Sequence, residues 1–539
     1  MTYVITQSCC KDASCVPVCP VDCIRPVGAT GEITGTEMLY IDPVTCIDCG
    51  ACVDACPVDA IYYEEELPPE LERFKDINSS YFEHHPLAMD SQRAGTDHPA
   101  VEQGSLRVAI VGAGPAACYA AAELTRVAGV EVNMFDRLAT PFGLVRTGVA
   151  PDHQHTKAVV KLFDPAFASP RFECHFNVEV GKTITHEDLL AHHHAVIYAV
   201  GAPKGRDLGI PGEKLPGSYA AADFVGWYNG HPDHADTTFD LSAERAVIIG
   251  NGNVALDVAR ILLMAPEDLA KTDIAQHALD KLSDSAIEEV VILARRGLRE
   301  AAFSVGEFLA LGYLPGVDVI VDSDELDAHD DDDDVETRMK LKIAREFTQR
   351  PVQPQNKRIV FRFMVSPVEV GGQEHAESLR VVHAGGESEV IESRLILRSI
   401  GQRGVPIDGV PFDDANGVVS NEHGRVLRED GQRVPGVYVT GWIKRGPRGV
   451  IGTNRSCAEQ TVQKLWEDYD SGLLDREVAA RDAMVGLLAE RGAEPVDWQG
   501  WRAIDAAERE RGRETSRPRV KFVDIAELLS AANSSDAAC

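Results

Sequence analysis

At 539 residues the chain has room for roughly three or four domains, and 44% hydrophobic with 26% charged residues is the mixture of a globular protein. A formal net charge of −32 argues against nucleic acid as a ligand, which needs a positive surface, while leaving room for a local basic patch around a phosphate. No apolar run approaches the length of a bilayer span, and no basic stretch followed by an apolar core opens the chain, so neither a span nor a signal peptide is expected.

The first 60 residues hold nine of the thirteen cysteines, in two runs. The second run is Cys46-x2-Cys49-x2-Cys52-x3-Cys56-Pro57. The first, Cys9-x2-Asp12-x2-Cys15-x3-Cys19-Pro20, repeats that spacing with an aspartate at the second position. In two-cluster ferredoxins, three cysteines at steps of three hold one cluster and the cysteine before proline ligates the other. That rule predicts one cluster at Cys19, Cys46, Cys49 and Cys52 and another at Cys9, Cys15 and Cys56, with Asp12 as candidate fourth ligand. Zinc is the competing metal, but zinc sites have no use for two copies of a four-member run ending in Cys-Pro. Asp12 supports three readings: an oxygen ligand in an Asp-ligated 4Fe-4S cluster, a failed ligand leaving 3Fe-4S, or a solvated carboxylate with Cys10 as the ligand. The first two are favoured, because adjacent Cys9 and Cys10 would struggle to reach one cluster. Cys23 is expected to be a free structural thiol. Thiolate clusters are destroyed by oxidation, which makes the cytoplasm the expected location.

On these residues, positions 1 to about 82 resemble a seven-iron ferredoxin, with a shorter gap between Cys9 and Cys15 than is usual there. The tail LPPELERFKDINSSYF resembles the extra helix of longer members, and Leu71, Phe74, Ile77 and Tyr81 recur at helical spacing. Eleven acids against Lys11 and Arg25 in residues 1–66 fit a small acidic carrier or plain solubility. Residues 83–104 are polar, carry Pro86 and Pro99, and are expected to be a linker. The run Asp330–Asp334 is expected to be a surface loop.

Two glycine motifs follow. The apolar run ending at Val111 leads into Gly112-Ala-Gly114-Pro-Ala-Ala117, a helical stretch, and a strand ending at Asp136. Gly112 makes the turn, Gly114 lets a pyrophosphate approach the helix N-terminus, and Asp136 can accept from a ribose diol. The second copy is Gly250-Asn-Gly252-Asn-Val-Ala255, and its next strand ends in Arg295-Arg296. Arginine there accommodates a 2′-phosphate, so the second site is expected to prefer NADP. A third glycine-rich loop, Trp442 to Asn454, follows the strand PGVYVTG.

The blocks PFGLVRTGVAPDH (141–153), FVGWYNG (224–230), GNGNVALDVARILL (250–263), ARRG (294–297), LRSIG (397–401) and GWIKRGPRGVIGTN (441–454) are similar to adrenodoxin-reductase-type ferredoxin–NADP+ reductases. The resemblance implies an α/β fold with two Rossmann-like nucleotide domains of glutathione-reductase type, behind an N-terminal α+β iron–sulfur domain. Expected bounds are 1–82 for the ferredoxin, 105–205 with 396–539 for the FAD domain, and 206–395 for an inserted NADP domain. It implies FAD at Gly112, Gly114, Ala116, Asp136, Leu144, Val180, Trp442, Gly449, Val450 and Ile451. It implies NADP(H) at Asn251, Gly252, Asn253, Val254, Arg295, Arg296, Glu307 and Gly449, with His153 and Glu307 as a polar pair near the nicotinamide that positions groups or handles protons. Leu298 departs from the proline usual after ARRG, and should alter the loop without touching the 2′-phosphate contact. No redox C-x4-C follows the first glycine motif; Cys118 stands alone. Hydride from NADPH to FAD, then single electrons to the clusters of the fused or a separate ferredoxin, is the expected chemistry, with a cytochrome P450 system as one downstream acceptor. Rival readings are the electron-input subunit of a glutamate-synthase-like complex, which would lack GWIKRGPRGVIGTN in this form, and an iron–sulfur redox sensor, which would need an output domain.

Overall fold

The computed structural model describes residues 2–25, 38–87, 98–323, 325–326, 333 and 335–534. Each glycine motif caps an inner, parallel strand of its own sheet. The first sheet has seven strands, in the order Asn421–Glu422, Arg425–Leu427, Arg433–Val439, Ala195–Tyr198, Arg107–Val111, Glu131–Asp136, Phe172–Phe176. The last five run parallel, and Arg107–Val111 is buried along its whole length, as a strand covered by helices on both faces must be. The second sheet has six parallel strands, in the order Ser218–Ala220, Leu395–Arg398, Arg245–Ile249, Glu289–Leu293, Lys357–Arg362, Val317–Asp322. Between the two, Lys204–Gly205 pairs antiparallel with Gln402–Arg403, so the chain leaves and re-enters the first sheet through a two-strand neck. An antiparallel meander, Val365–Gly372, Ala376–His383 and Ser388–Glu392, packs Val365, Val370 and Leu379 against Val247 and Val291 of the six-stranded sheet.

The cysteine-rich segment forms two small antiparallel pairs, Tyr3–Ile5 with Ile61–Tyr63 and Ile24–Arg25 with Tyr40–Ile41. The helix Phe74–His84 closes them. Its buried Asn78 joins all three: Nδ2 donates to the carbonyls of Ile5 and Phe74, both at 2.8 Å, and Oδ1 accepts from Ile41 N at 2.9 Å and Ile5 N at 3.2 Å. The expected apolar face is real, with Phe74, Ile77 and Tyr81 buried. It bridges two units: Tyr81 stacks on Tyr40 of the small unit at 4.2 Å, and the same buried cluster continues into the core of the six-stranded domain with Phe303, Phe308 and Phe347. Arg73 pairs with Glu346 of the helix Val335–Gln349 (Nη2 to Oε1, 2.9 Å).

The expected linker is held at both described ends. The helix runs through His84, and His98 stacks on Trp466 at 3.8 Å while Val101 N donates to Ala128 O. Residues 88–97 lie outside the described residues. So does the acidic run Asp330–Asp334 except Asp333, whose carboxylate is bonded by Arg299 at 2.9 Å. Leu298 is fully buried in the second domain's core, where its side chain packs with Phe303 and Phe308. Among the described residues no helix is long and apolar enough to cross a membrane.

Candidate functional site

The two glycine turns share one geometry. Gly112 (φ +103°) and Gly250 (φ +108°) lie where L-residues rarely go, and a Cβ on Gly112 would sit 2.5 Å from Ala199 O. Two residues on, the situation reverses: nothing lies within 4 Å of a Cβ built on Gly114 or Gly252. The helices Pro115–Arg126 and Asn253–Leu263 start there with no side-chain cap, so their first N–H groups face open space, which suits a pyrophosphate. Leu144 and Val254 are exposed beside these turns, although both are apolar. Asp136 Oδ2 accepts from Ala113 N (2.7 Å) and Oδ1 from Leu138 N (2.8 Å), which orients the carboxylate and leaves further lone pairs for a ribose. Burial pushes its carboxyl up, and the two amides partly offset this. Arg295 and Arg296 are both exposed, just past Glu289–Leu293.

The third loop abuts the first turn. Gly441 (φ +74°) comes so close to Ala116 that a Cβ would stand 2.6 Å from the alanine methyl. Trp442 opens the short helix that follows, and Gly449 (φ +81°) lets the chain turn back over Thr453. Arg445, absent from the expected residues, donates from Nη2 to Asn454 Oδ1 but has Nε and Nη1 buried without a partner. A buried guanidinium with idle donors is a place for an anionic or carbonyl-bearing ligand. Val180 is half-buried in a turn closed by Gly181 N donating to Ile184 O.

His153 and Glu307 come together, but not as a simple pair. His153 Nε2 and Glu307 Oε2 are 3.9 Å apart, and Arg260 stands between them. It donates to His153 Nε2 (2.8 Å), Glu307 Oε2 (3.4 Å), Asp152 Oδ2 (2.7 Å) and Asp257 Oδ1 (2.7 Å). With Nε2 accepting, the ring proton of neutral His153 resides on Nδ1. Burial opposes the Asp152 charge, yet Arg260 outweighs it and holds that carboxyl below the usual range; Asp257 is pushed up, chiefly by burial. Asn253 Oδ1 accepts from Ser304 N at 2.8 Å, and Ser304 caps the helix that carries Glu307.

The cysteines divide between two small cavities of similar size. Cys9, Cys15 and Cys56 line the first with Asp12 and Cys10; Cys19, Cys46, Cys49 and Cys52 line the second with Cys23. Among the described residues, the one group of three potential ligand atoms all within 4.8 Å of each other is His153, Asp257 and Glu307, with no cysteine in it. One tetrahedral zinc with bonds of about 2.3 Å would draw its sulfurs to within about 3.8 Å of each other. The wider spread suits a multi-iron cluster. Burial pushes the thiols of Cys9 to about 11 and Cys52 to about 12, so a bound metal is what would keep them thiolates. Lys11 N and Ala60 N point at the sulfurs of Cys9 (3.4 Å) and Cys56 (3.3 Å). Asp12 is buried; Oδ1 accepts from Ser14 N at 3.2 Å and Oδ2 from the Ser14 hydroxyl. Cys23, expected to be structural, has its sulfur 3.4 Å from that of Cys19.

The first cavity rests on the loop that follows Trp442. Gly452 N donates to Cys10 O at 2.7 Å, and Arg455 Nη1 donates to Asp12 O at 2.9 Å, with Asp12 Oδ2 at 3.8 Å. A cleft of about 410 Å3 is walled on one side by His153, Asn253, Glu307, Val450 and Ile451 and on the other by Gln7, Cys9, Cys10, Tyr40, Phe74 and Tyr81. The residues expected around the nicotinamide and those of the cysteine-rich unit therefore share one enclosure. Gly452 and Arg455 escaped the sequence reading; Gly452 stands inside the GWIKRGPRGVIGTN block and Arg455 directly after it.

Residues 106–298 match the family model for a pyridine nucleotide-disulphide oxidoreductase, and residues 39–62 match a 4Fe-4S binding domain. Over 553 aligned residues the chain is 49% identical to a probable ferredoxin/ferredoxin–NADP reductase of Mycobacterium tuberculosis, covering 99% of this chain and 95% of the relative. This chain belongs to the ferredoxin/ferredoxin–NADP reductase family. NADPH-ferredoxin reductase FprA of M. tuberculosis is 45% identical over 78% of the chain and 98% of its own length. The solved structure of M. tuberculosis FprA in complex with NADPH has a TM-score of 0.76 at 44% identity, over 79% of this chain and 99% of that one. The match over a fifth less of the chain than the first relative is what a reductase without the cysteine-rich unit would produce. The glutamate-synthase-like and sensor readings give way to a ferredoxin–NADP reductase.

Proposed function

We propose that this reductase binds FAD at the first glycine turn and NADP(H) at the second, and that its own ferredoxin unit meets the flavin through the cage of Cys9, Asp12, Cys15 and Cys56. Flavin supplies the exchange between one hydride and two single electrons, which neither a nicotinamide nor an iron–sulfur cluster makes alone. Around it the residues named above bind and orient. Asp136 and the amides after Gly114 hold the adenosine half, with Ala116, Leu144, Val180, Trp442, Gly449, Val450 and Ile451 completing the cradle. Asn251, Gly252, Asn253 and Val254 cradle the second pyrophosphate, while Arg295 and Arg296 select its 2′-phosphate. Glu307 and His153, fixed by Arg260, order the nicotinamide end of the cleft.

The observation that carries this reading is the bond from Gly452 N to Cys10 O, one residue beyond Ile451 and one beyond Cys9. The second cage, at Cys19, Cys46, Cys49 and Cys52, suits a 4Fe-4S cluster. For the first, a hard carboxylate stands where iron–sulfur clusters select soft thiolate, which favours 3Fe-4S over an Asp-ligated 4Fe-4S cluster. The reducing cytoplasm suits such thiolate sites, and a separate ferredoxin or a cytochrome P450 system is the class of external partner. Anaerobic NADPH titration of the purified holoprotein, followed by flavin absorbance and EPR, tests the reading. NADPH should bleach the flavin and change the EPR of the first cluster, whereas a bleached flavin beside wholly unchanged clusters refutes the relay. Asp12→Cys should add one iron per chain and remove the 3Fe-4S signal; unaltered iron and EPR would deny Asp12 its role.

A further inference from the structure

The two cages face opposite surroundings. The first is covered by Gly452 and Arg455, while the second opens outward at Cys49, which is exposed. Among the described residues, apolar side chains crowd this opening. Val44 is 90% exposed, Ile47 57% and Val18 41%, and each lies within two residues of a cage cysteine. Single exposed hydrophobes need no explanation, but several gathered around one opening mark a contact surface.

Among the described residues, the exposed charge flanking this opening is acidic. Asp48, Asp54, Glu65 and Glu66 are exposed. Glu65 and Glu66 follow the strand Ile61–Tyr63, whose Tyr63 pairs with Tyr3, and Tyr3 lines the second cage. The two bases of residues 1–66 do not offset them. Arg25 is bound to Asp22 (2.7 Å), and Lys11 lies at the opposite cage, its carbonyl against Gly452. An apolar centre inside a charged rim is the anatomy of a transient protein interface, and an acidic rim steers a basic partner.

We propose that the solvent-facing side of the Cys19–Cys46–Cys49–Cys52 cage is the docking surface for a separate redox protein with a basic rim around an apolar contact. The proposal rests on the reading that this cage holds an iron–sulfur cluster. A second copy of this chain is a poor occupant, because its own acidic rim would face the first.

The test uses oxidised holoprotein and cytochrome c, a basic haem protein, as probe. Binding is measured by calorimetry at low ionic strength, without turnover, and contacts are mapped by carbodiimide cross-linking. Val44→Lys, and separately Glu65→Lys with Glu66→Lys, should each weaken binding about tenfold and flatten its salt dependence. Cross-links should fall on Asp48, Glu65 or Glu66. Iron content and the EPR of both clusters, recorded on each variant, should match wild type. Unchanged affinity in both variants with iron retained, cross-links confined to the reductase, or a cross-linked dimer of this chain in place of the complex would each overturn the proposal. Wild type lacking iron at this cage would instead overturn the cluster reading beneath it.

Discussion

Gly452→Ala isolates the contact between the ferredoxin unit and the glycine-rich loop that follows Trp442. Gly452 has ordinary helical angles (φ −66°, ψ −23°), so alanine brings no backbone strain. Its methyl would nonetheless land inside the contact radius of Lys11 O and Asp12 N, both backbone atoms that cannot rotate away. The strip Cys10–Asp12 must therefore lift, which breaks the Gly452–Cys10 bond and the charge-assisted bond from Arg455 to Asp12 O. The first is worth about 1 kcal/mol and the second about 1.5–3 kcal/mol. Together, about 2.5–4 kcal/mol corresponds to a shift of roughly 60- to 700-fold in the local open–closed equilibrium. The buried helix Phe74–His84 keeps the unit attached, so the opening is local. Hydrogen exchange of the amides from Cys10 to Ser14 should accelerate by that factor, while NADPH bleaching of the flavin keeps its rate. In stopped flow the later, cluster-dependent phase should slow. Unaltered exchange protection together with an unaltered later phase would refute the claim that this contact couples the two units.

Other outcomes follow from the same geometry. Arg295→Ala with Arg296→Ala removes both exposed cations at the strand end, and KM for NADPH should rise about 10- to 150-fold, at about 1.5–3 kcal/mol for a charged hydrogen bond; NADH kinetics should hardly move, and an equal loss for both cofactors would place the 2′-phosphate elsewhere. Asn78→Ala leaves the buried amide and carbonyl of Ile5 and the amide of Ile41 short of partners, at about 1–3 kcal/mol each; rapid proteolysis of the first 87 residues with loss of iron is expected, and intact iron after protease would deny Asn78 its stapling role. Burial depresses His175 to about 4 and His193 to about 3, so both fold as neutral rings. The unfolded chain then binds more protons below about pH 6.5, so their stabilisation is complete above that value and is lost as pH falls toward 4 and 3, about 2 kcal/mol each between pH 7 and 5. His175→Phe, which keeps the stack on Phe135, should remove about half of that slope in denaturant titrations at the two pH values; an unchanged slope would show that His175 is protonated in the folded state.

Cysteine spacing and the two glycine turns were decisive in sequence because their chemistry is local. A cube of iron and sulfur demands thiolates at short fixed steps, and a pyrophosphate demands glycine at a strand-to-helix turn; both leave marks within a dozen residues. The acid after one strand and the paired arginines after the other lie farther along, yet still within one βαβ unit. The apolar side of Phe74, Ile77 and Tyr81 was also legible, since helical periodicity records that a face is buried. It does not record against what, and the answer is the core beside Phe303 and Phe347, more than two hundred residues away. The same kind of distance hid Arg260 between His153 and Glu307, and the seat of Cys10 and Asp12 on Gly452 and Arg455. Those contacts join segments remote in the chain, and no periodicity or spacing encodes them. So the sequence alone determined which cofactors this protein is built for, through short-range geometry. Only the packing of its three units decided which cage meets the loop of Gly452 and which one faces the solvent.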